Sequence, residues 1–291
     1  MKLLALGAIG TALTGAVSLA GIQAMFALAN APALFFEGKK IEDIVFSEST
    51  GQKLDIYTPE RQPDQTFPVV VFFYGGSWQS GERTEYPFVG MTLVDEGFVA
   101  VVPDYRKYPA VRFPEFVEDG AEAVAWVQRN IGAYGGNPEQ IHVMGHSAGA
   151  HIAALLATDG RYLETAGAPD SIDSLIGLAG PYDFTPDTEP FIDMFGPSER
   201  YPQMQVPTFV DAGDPPMLLL HGDGDTTVGP HHTARLRKSV KDVNGCVETR
   251  FYPGTGHIGI MTGFTWVFRN DQPMVDDVVT WLKRRATGTA C

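Results

Sequence analysis

The run Val69-Val70-Val71-Phe72-Phe73-Tyr74 constrains this chain more than any other stretch. Six consecutive β-branched and aromatic residues leave no polar face, so the segment reads as a strand covered on both sides, as the strands of parallel sheets are. It breaks at once into Gly75-Gly76-Ser77-Trp78. The same pattern of apolar run and abrupt turn recurs at Phe98 to Val102, at Ile141 to Met144, at Ser174 to Leu178 and at Met217 to His221, and a further strand is expected at Val247 to Tyr252. Helical segments alternate with these runs. Pro87 to Glu96 is one. Phe116 to Ile131 places Val117, Ala121, Val124 and Ile131 on one stripe, and His231 to Val243 follows later. A last helix starts near Pro273, with Asp276 and Asp277 early and Lys283, Arg284 and Arg285 late, which complements the helix dipole. Ile41 to Phe46 and Lys53 to Tyr57 alternate apolar and polar residues and predict a leading β-hairpin. The expected fold is therefore α/β: a mostly parallel central sheet of about eight strands with an antiparallel start and helices on both faces.

In such sheets ligands bind beyond the carboxyl ends of the strands. Gly75-Gly76, Asp104, Ser147, Asp225 and His257 all fall at such ends. Ser147 sits in Gly145-His146-Ser147-Ala148-Gly149, between the strand at Ile141 and the small-residue helix from Ala150 onward. Glycines flank a serine in this way where a sharp turn brings backbones too close for side chains. A serine hydroxyl needs a base to take its proton and a third group to orient that base.

Of the seven histidines, His257 is the expected base, because it follows a strand and sits in the flexible Gly254-Thr255-Gly256 loop. His142, His146 and His151 read as packing or hydrogen-bonding residues, His221 as a loop tie, and His231 and His232 as solvated. Asp225 is the expected orienting carboxylate; Asp223, two residues nearer the strand, reads as a turn former. Charge developing on a carbonyl oxygen needs preorganised donors, for which the amides of Gly76, Ser77 and Ala148 are the candidates. Trp78, Tyr105 and Tyr182 are candidate pocket residues, and the Pro- and aromatic-rich segment Ala179 to Pro216 is the candidate lid or pocket wall.

A formal charge of −14 argues against nucleic acid and against a basic anchor on anionic lipid. After Lys2 there is no charge until Glu37. Residues 1–36 are therefore expected to be an export signal, with small-residue sites at Ala27-Leu28-Ala29 or Ala29-Asn30-Ala31, or a retained membrane anchor. Residues 37–291 form the catalytic domain, expected outside the cytoplasm, periplasmic or secreted. The two cysteines, Cys246 and Cys291, could pair in an oxidising compartment or remain free thiols. Neither they nor the histidines show metal-ligand spacing, and no metal or cofactor is expected.

With these motifs in view, the chain resembles the α/β-hydrolase superfamily over roughly residues 41 to 285. Within it the likeness is to the esterase/lipase group, similar to carboxylesterases and to the hormone-sensitive-lipase and kynurenine-formamidase branches. Leu54-Asp55-Ile56-Tyr57-Thr58-Pro59, Tyr74-Gly75-Gly76-Ser77-Trp78, Asp104-Tyr105-Arg106, the Ser147 pentapeptide and the Asp225 and His257 loops carry that likeness. It implies hydrolysis of small-molecule carboxylic esters through an acyl-enzyme, with an amidase or formamidase and a non-catalytic binding module as alternatives. The group's oxyanion motif is usually His-Gly-Gly-x-Trp; this chain has Tyr74 in place of that histidine.

Overall fold

The computed structural model describes residues 19–31, 36–62, 65–269 and 271–287. Eight strands form one sheet: β1 (Lys39–Val45), β2 (Lys53–Thr58), β3 (Phe67–Phe73), β4 (Val99–Pro103), β5 (Gly136–His146), β6 (Ser174–Leu178), β7 (Met217–Gly222) and β8 (Val247–Tyr252). Their spatial order is β1-β2-β4-β3-β5-β6-β7-β8. β2 pairs antiparallel with both β1 and β4, and every other pairing is parallel. The expected strands fall where the apolar runs lie, with one difference at β5. The Gly136-Asn137-Pro138 turn is drawn into the ladder, where Gly136 pairs with Phe67 before a register shift.

The helices in chain order are α1 (Leu19–Ala29), α2 (Pro87–Asp95), α3 (Glu115–Asn130), α4 (Ala148–Thr158), α5 (Arg161–Ala166), α6 (Phe191–Phe195), α7 (Tyr201–Met204), α8 (His231–Asp242), α9 (Gly259–Thr262) and α10 (Met274–Ala286). The chain leaves β3 through α2 for its neighbour on one side, β4, then crosses back through α3 to its neighbour on the other side, β5. Right-handed crossovers running in opposite directions put their helices on opposite faces of the sheet. α3 and α4 accordingly pack together, with Gly120 against Ile152. On the other face α2 is tied to α10 through Glu96 and Lys283, at 3.0 Å.

The point where the crossovers part is the β3/β5 pair. There the two outgoing loops splay and open a crevice at the strand ends. The core between the layers is built from Val69 to Phe73, Val99 to Val102, Ile141 to Met144 and Leu218 to Leu220, all essentially inaccessible to solvent.

α1 packs against the domain. Trp266 Nε1 donates to the Leu28 carbonyl at 2.9 Å, Asn30 bridges the Glu85 carbonyl and the Phe88 amide, and Phe26 meets Tyr86 edge-on. Among the described residues no helix is long and apolar enough to cross a membrane; residues 1–18 and 32–35 of the expected signal or anchor lie outside them. Cys246 is disulfide-bonded; the only other cysteine in the sequence, Cys291, lies outside the described residues.

Candidate active site

Ser147 occupies a tight strand-to-helix turn at φ 55° and ψ −122°, a conformation that costs a residue with a Cβ of order 1–3 kcal/mol. Its surroundings hold it there. The Ser147 amide donates to the Leu178 carbonyl of β6 at 2.9 Å, and its carbonyl accepts the amides of Ala150 and His151. The flanking glycines are required by contact. A Cβ on Gly145 would lie 2.2 Å from the Gly149 carbonyl oxygen, and one on Gly149 would lie 2.0 Å from the Phe73 carbonyl oxygen. The turn is therefore pressed against β3, which brings Ser147 beside the loop that follows that strand.

His257, in the loop after β8, receives the Ser147 Oγ–H at its Nε2 over 2.8 Å. Its Nδ1–H donates to Asp225 Oδ2 at 2.7 Å. Asp225 lies in the loop after β7 and its side chain is fully enclosed. Oδ1 accepts the amides of Thr227 and Val228, each at 2.9 Å. His221 Nε2 lies 3.3 Å from Oδ2. Burial alone would raise the Asp225 carboxyl, but the hydrogen bonds from His221, His257 and Val228 outweigh it and hold the group well below the ordinary carboxylate range. Asp223, by contrast, accepts the Gly254 amide at 2.6 Å and, among the described residues, has no hydrogen bond to His257. The structure thus joins Ser147, His257 and Asp225 into one hydrogen-bonded chain and leaves Asp223 in the turn.

Two more histidines touch this chain. His221 also donates to the Val228 carbonyl at 2.9 Å, and its Nδ1 meets the Thr233 hydroxyl at 2.7 Å. The loop tie expected of it therefore acts directly on Asp225. His146 donates from Nε2 to the His257 carbonyl at 3.1 Å, with the two rings 4.8 Å apart. Burial, and then the neighbouring His257, push His146 down to about 3, so it stays neutral beside His257. Its place inside the pentapeptide was legible in the sequence, but its partner, 111 residues away, was not.

The loop after β3 turns through left-handed conformations at Gly76 (φ 130°), Ser77 (φ 53°) and Trp78 (φ 57°). Only glycine fits at position 76, since a Cβ there would lie 2.2 Å from the Ser80 carbonyl oxygen. The Gly76 carbonyl accepts the amides of Gln79 and Ser80. The amides of Gly76 and Ser77 meet no acceptor among the described residues. A Cβ on Gly75 would stand 3.1 Å from Ser147 Cβ, so the loop lies directly against Ser147. Ala148 opens α4, and the first amides of a helix have no partner within it. Uncommitted donors therefore stand on two sides of Ser147.

The candidate pocket residues fare differently. Tyr105 and Tyr182 are wholly enclosed and Trp78 is 3% exposed, so none offers a face to a ligand in this structure. Tyr105 donates its hydroxyl to the Tyr74 carbonyl at 2.9 Å. Tyr182 covers the backbone of Gly177 and Gly180. Trp78 is enclosed by Phe116, His151, Phe184, Phe191 and Phe195. Three of these rings, Phe184, Phe191 and Phe195, come from the Ala179–Pro216 segment, which is thus folded down onto the loop after β3. His232, expected to be solvated, is instead buried and bonded through Nδ1 to Asp183 at 2.7 Å, which ties that segment to α8. The sequence showed a polar pair at a helix start; the aspartate 49 residues earlier that draws one of them inward was not visible there. Among the described residues no group of three or more His, Cys, Asp or Glu side chains is placed to hold a metal ion.

A parallel sheet with an antiparallel start, a strained serine after its fifth strand, and a histidine and an aspartate from later strand ends define an α/β-hydrolase fold with a Ser-His-Asp array. The BD-FAE family model matches residues 54–240, and the chain belongs to that family. Among curated proteins it is similar to a probable isoprenylcysteine alpha-carbonyl methylesterase of Oryza sativa subsp. japonica, with 33% identity over 252 residues, 78% of this chain and 60% of the relative. It is also similar to the esterase LipC of Mycobacterium tuberculosis, with 29% identity over 242 residues, 74% of this chain and 58% of the relative. The chain thus spans about three-fifths of the length of these relatives. Among solved structures, a truncated carbohydrate esterase from gut microbiota superposes with a TM-score of 0.76 at 20% identity, covering 87% of this chain and 98% of the other. Propionate-bound Est2 of Thermogutta terrifontis, a thermophilic esterase, superposes at 0.72 and 22% identity, covering 85% and 94%. At such identities these two show the fold alone.

Proposed function

We propose that this chain is a serine hydrolase of small-molecule carboxylic esters. The observation that carries the reading is the unbroken relay from Ser147 Oγ through His257 to Asp225, at 2.8 and 2.7 Å. As the hydroxyl oxygen attacks the ester carbonyl, His257 Nε2 takes its proton, and the imidazolium is stabilised by the Asp225 carboxylate at Nδ1. The carbonyl oxygen becomes an oxyanion facing the free amides of Gly76, Ser77 and Ala148. His257 returns the proton to the departing alkoxide, leaving Ser147 acylated and an alcohol free. Water then attacks the acyl-enzyme, with His257 again taking a proton, and releases the carboxylic acid and the serine. The esterase names of the curated relatives support the ester over the amide reading.

The test is hydrolysis of a p-nitrophenyl ester series beside an aryl formamide, with fluorophosphonate labelling. Ester turnover by the native chain, together with labelling that Ser147→Ala abolishes, is the expected outcome. Preference for the formamide would move the substrate class to amides, and absence of both labelling and turnover would leave a binding module of the same fold.

The domain acts outside the cytoplasm, carried there by the uncharged 3–36 segment as a cleaved signal or as an anchor that holds it at the membrane. The Cys246 disulfide supports this, because such bonds persist in oxidising compartments. Cell fractionation with N-terminal sequencing of the mature chain tests it; a chain found only in the cytoplasm would overturn it.

A further inference from the structure

We propose that Asp104 is a positioning residue that clamps both ends of the oxyanion loop, with Tyr74 as its partner; the inference rests on the hydrolase reading above. Residues 75–82 leave the sheet after β3 and carry Gly76 and Ser77. One atom, Asp104 Oδ1, receives the groups on either side of that excursion. The Tyr74 hydroxyl donates to it at 2.7 Å from the residue before the loop, and the Arg83 amide donates to it at 2.9 Å from the residue after. The second carboxylate oxygen receives the Arg83 guanidinium.

Both sides of the clamp are themselves fixed. The Asp104 amide donates to the Lys53 carbonyl at 2.9 Å, which pins it to β2. The Arg83 guanidinium continues to Asp55, fully buried at 2.9 Å, and to Asp43. The Tyr74 ring is stacked between Tyr105, at 4.8 Å, and Tyr86, at 5.4 Å. Lys107 Nζ donates to the Tyr74 hydroxyl and to the Tyr105 carbonyl, both at 3.1 Å, and lies over both rings.

The sheet ladder does not do this work. It ends at Phe73, which pairs with Gly145, and beyond it the loop's own bonds are local: the Gln79 and Ser80 amides close onto the Gly76 carbonyl and the Gln79 side chain onto the Ser77 carbonyl. The middle of the loop is tied by the Trp78 carbonyl, which accepts the Tyr108 amide, and by the Trp78 ring, which is packed among Phe116, His151 and Phe195. Where Gly76 and Ser77 stand relative to Ser147 is therefore set by the seat of Trp78 together with the loop's two feet, and Asp104 Oδ1 holds both feet. Tyr74 supplies one of those feet. Donors that drift meet the substrate carbonyl about as well as before but fail the oxyanion, because preorganised donors matter most where charge develops.

The experiment compares the full chain with Tyr74→Phe, which removes only the hydroxyl, and Asp104→Ala, which removes the oxygen that accepts both feet of the loop. A misplaced catalytic group costs up to about 10²-fold, so kcat should fall by about 10- to 10²-fold. KM should stay within about twofold, since ground-state binding is untouched. A trifluoromethyl ketone, which adds Ser147 Oγ to form a hemiketal oxyanion, should lose affinity by the same factor as kcat/KM. The double variant should cost less than the product of the two, because both act on one clamp. Unchanged kcat and ketone affinity in both variants would overturn the proposal, as would losses that only track the unfolded fraction in a thermal melt. A native chain that hydrolyses no ester would instead sink the hydrolase reading, so the two failures are distinguishable.

Discussion

Asp225→Asn tests the relay most sharply, because the structure dictates how the amide must sit. Oδ1 of Asp225 accepts two backbone amides, from Thr227 and Val228. Only the carboxamide oxygen can accept there; the opposite rotamer would aim an NH₂ at two N–H donors inside a buried loop. The NH₂ group is therefore forced into the Oδ2 position, facing His257 Nδ1 and His221 Nε2. A donor opposite Nδ1 stabilises the tautomer with its proton on Nε2. That proton points at Ser147 Oγ, so the imidazole has no lone pair with which to take the hydroxyl proton. The expected loss is about 10⁴-fold in kcat, equivalent to about 5 kcal/mol of barrier. Asp223→Asn keeps an acceptor for the Gly254 amide and should change kcat by no more than about twofold. The assay is steady-state hydrolysis of p-nitrophenyl acetate by both variants at pH 8, with circular dichroism to check folding. A folded Asp225→Asn within tenfold of the native rate would refute the reasoning, and a larger loss in Asp223→Asn would transfer the role.

Ser147→Ala should abolish ester turnover and fluorophosphonate labelling while leaving the melting temperature no lower, since it removes a side chain from a strained position; retained turnover would show that another group attacks. Gly149→Ala drives a Cβ to 2.0 Å from the Phe73 carbonyl oxygen and should destabilise the fold by about 1–3 kcal/mol, read by urea titration. Burial lowers His142 and His151 to about 4 and His146 to about 3, so all three fold as neutral imidazoles. Below the ordinary histidine value of 6.5 the unfolded chain binds protons that the folded chain refuses. Stability is therefore full above that pH and lost as pH falls toward 3–4, by up to about 2 kcal/mol per histidine between pH 6.5 and 5. Urea midpoints that stay level from pH 7 to pH 5 would contradict that burial. Cys246→Ser, or a strong reductant, should lower stability by about 2–4 kcal/mol in chemical denaturation, and an unmoved midpoint would show that the disulfide does not constrain the folded domain.

Much of this was legible in the residues alone, for a physical reason. A strand buried on both faces has to be apolar throughout, so Val69 to Phe73 and Met217 to Leu220 announce a parallel sheet without any knowledge of their neighbours. A turn that presses backbone against backbone has to be glycine, so Gly145, Gly149 and Gly76 mark the places where Ser147 and the oxyanion loop meet. The order of the strand ends then puts a serine, an aspartate and a histidine at one edge. These are local demands, and sequence records local demands directly.

Contacts between distant segments leave no such record. Nothing near Tyr105 or Tyr182 distinguishes an aromatic that lines a pocket from one that fills the core. Only the fold shows that Tyr105 is spent on the Tyr74 carbonyl and Tyr182 on the backbone of Gly177 and Gly180. His232 looks solvated at a helix start until Asp183 arrives from the far side of the Ala179–Pro216 segment. His146 becomes the tie on the base, and Asp104 the point that holds both ends of the oxyanion loop, only because parallel strands set side by side residues that lie far apart in the chain. The sequence by itself determined the sheet, the turns and which serine, aspartate and histidine fall at the strand ends, because each is required by the chain's immediate neighbourhood. Which aromatic is core and which polar group steadies the loops was decided by tertiary structure alone, since a side chain's partner is set by where the sheet places it.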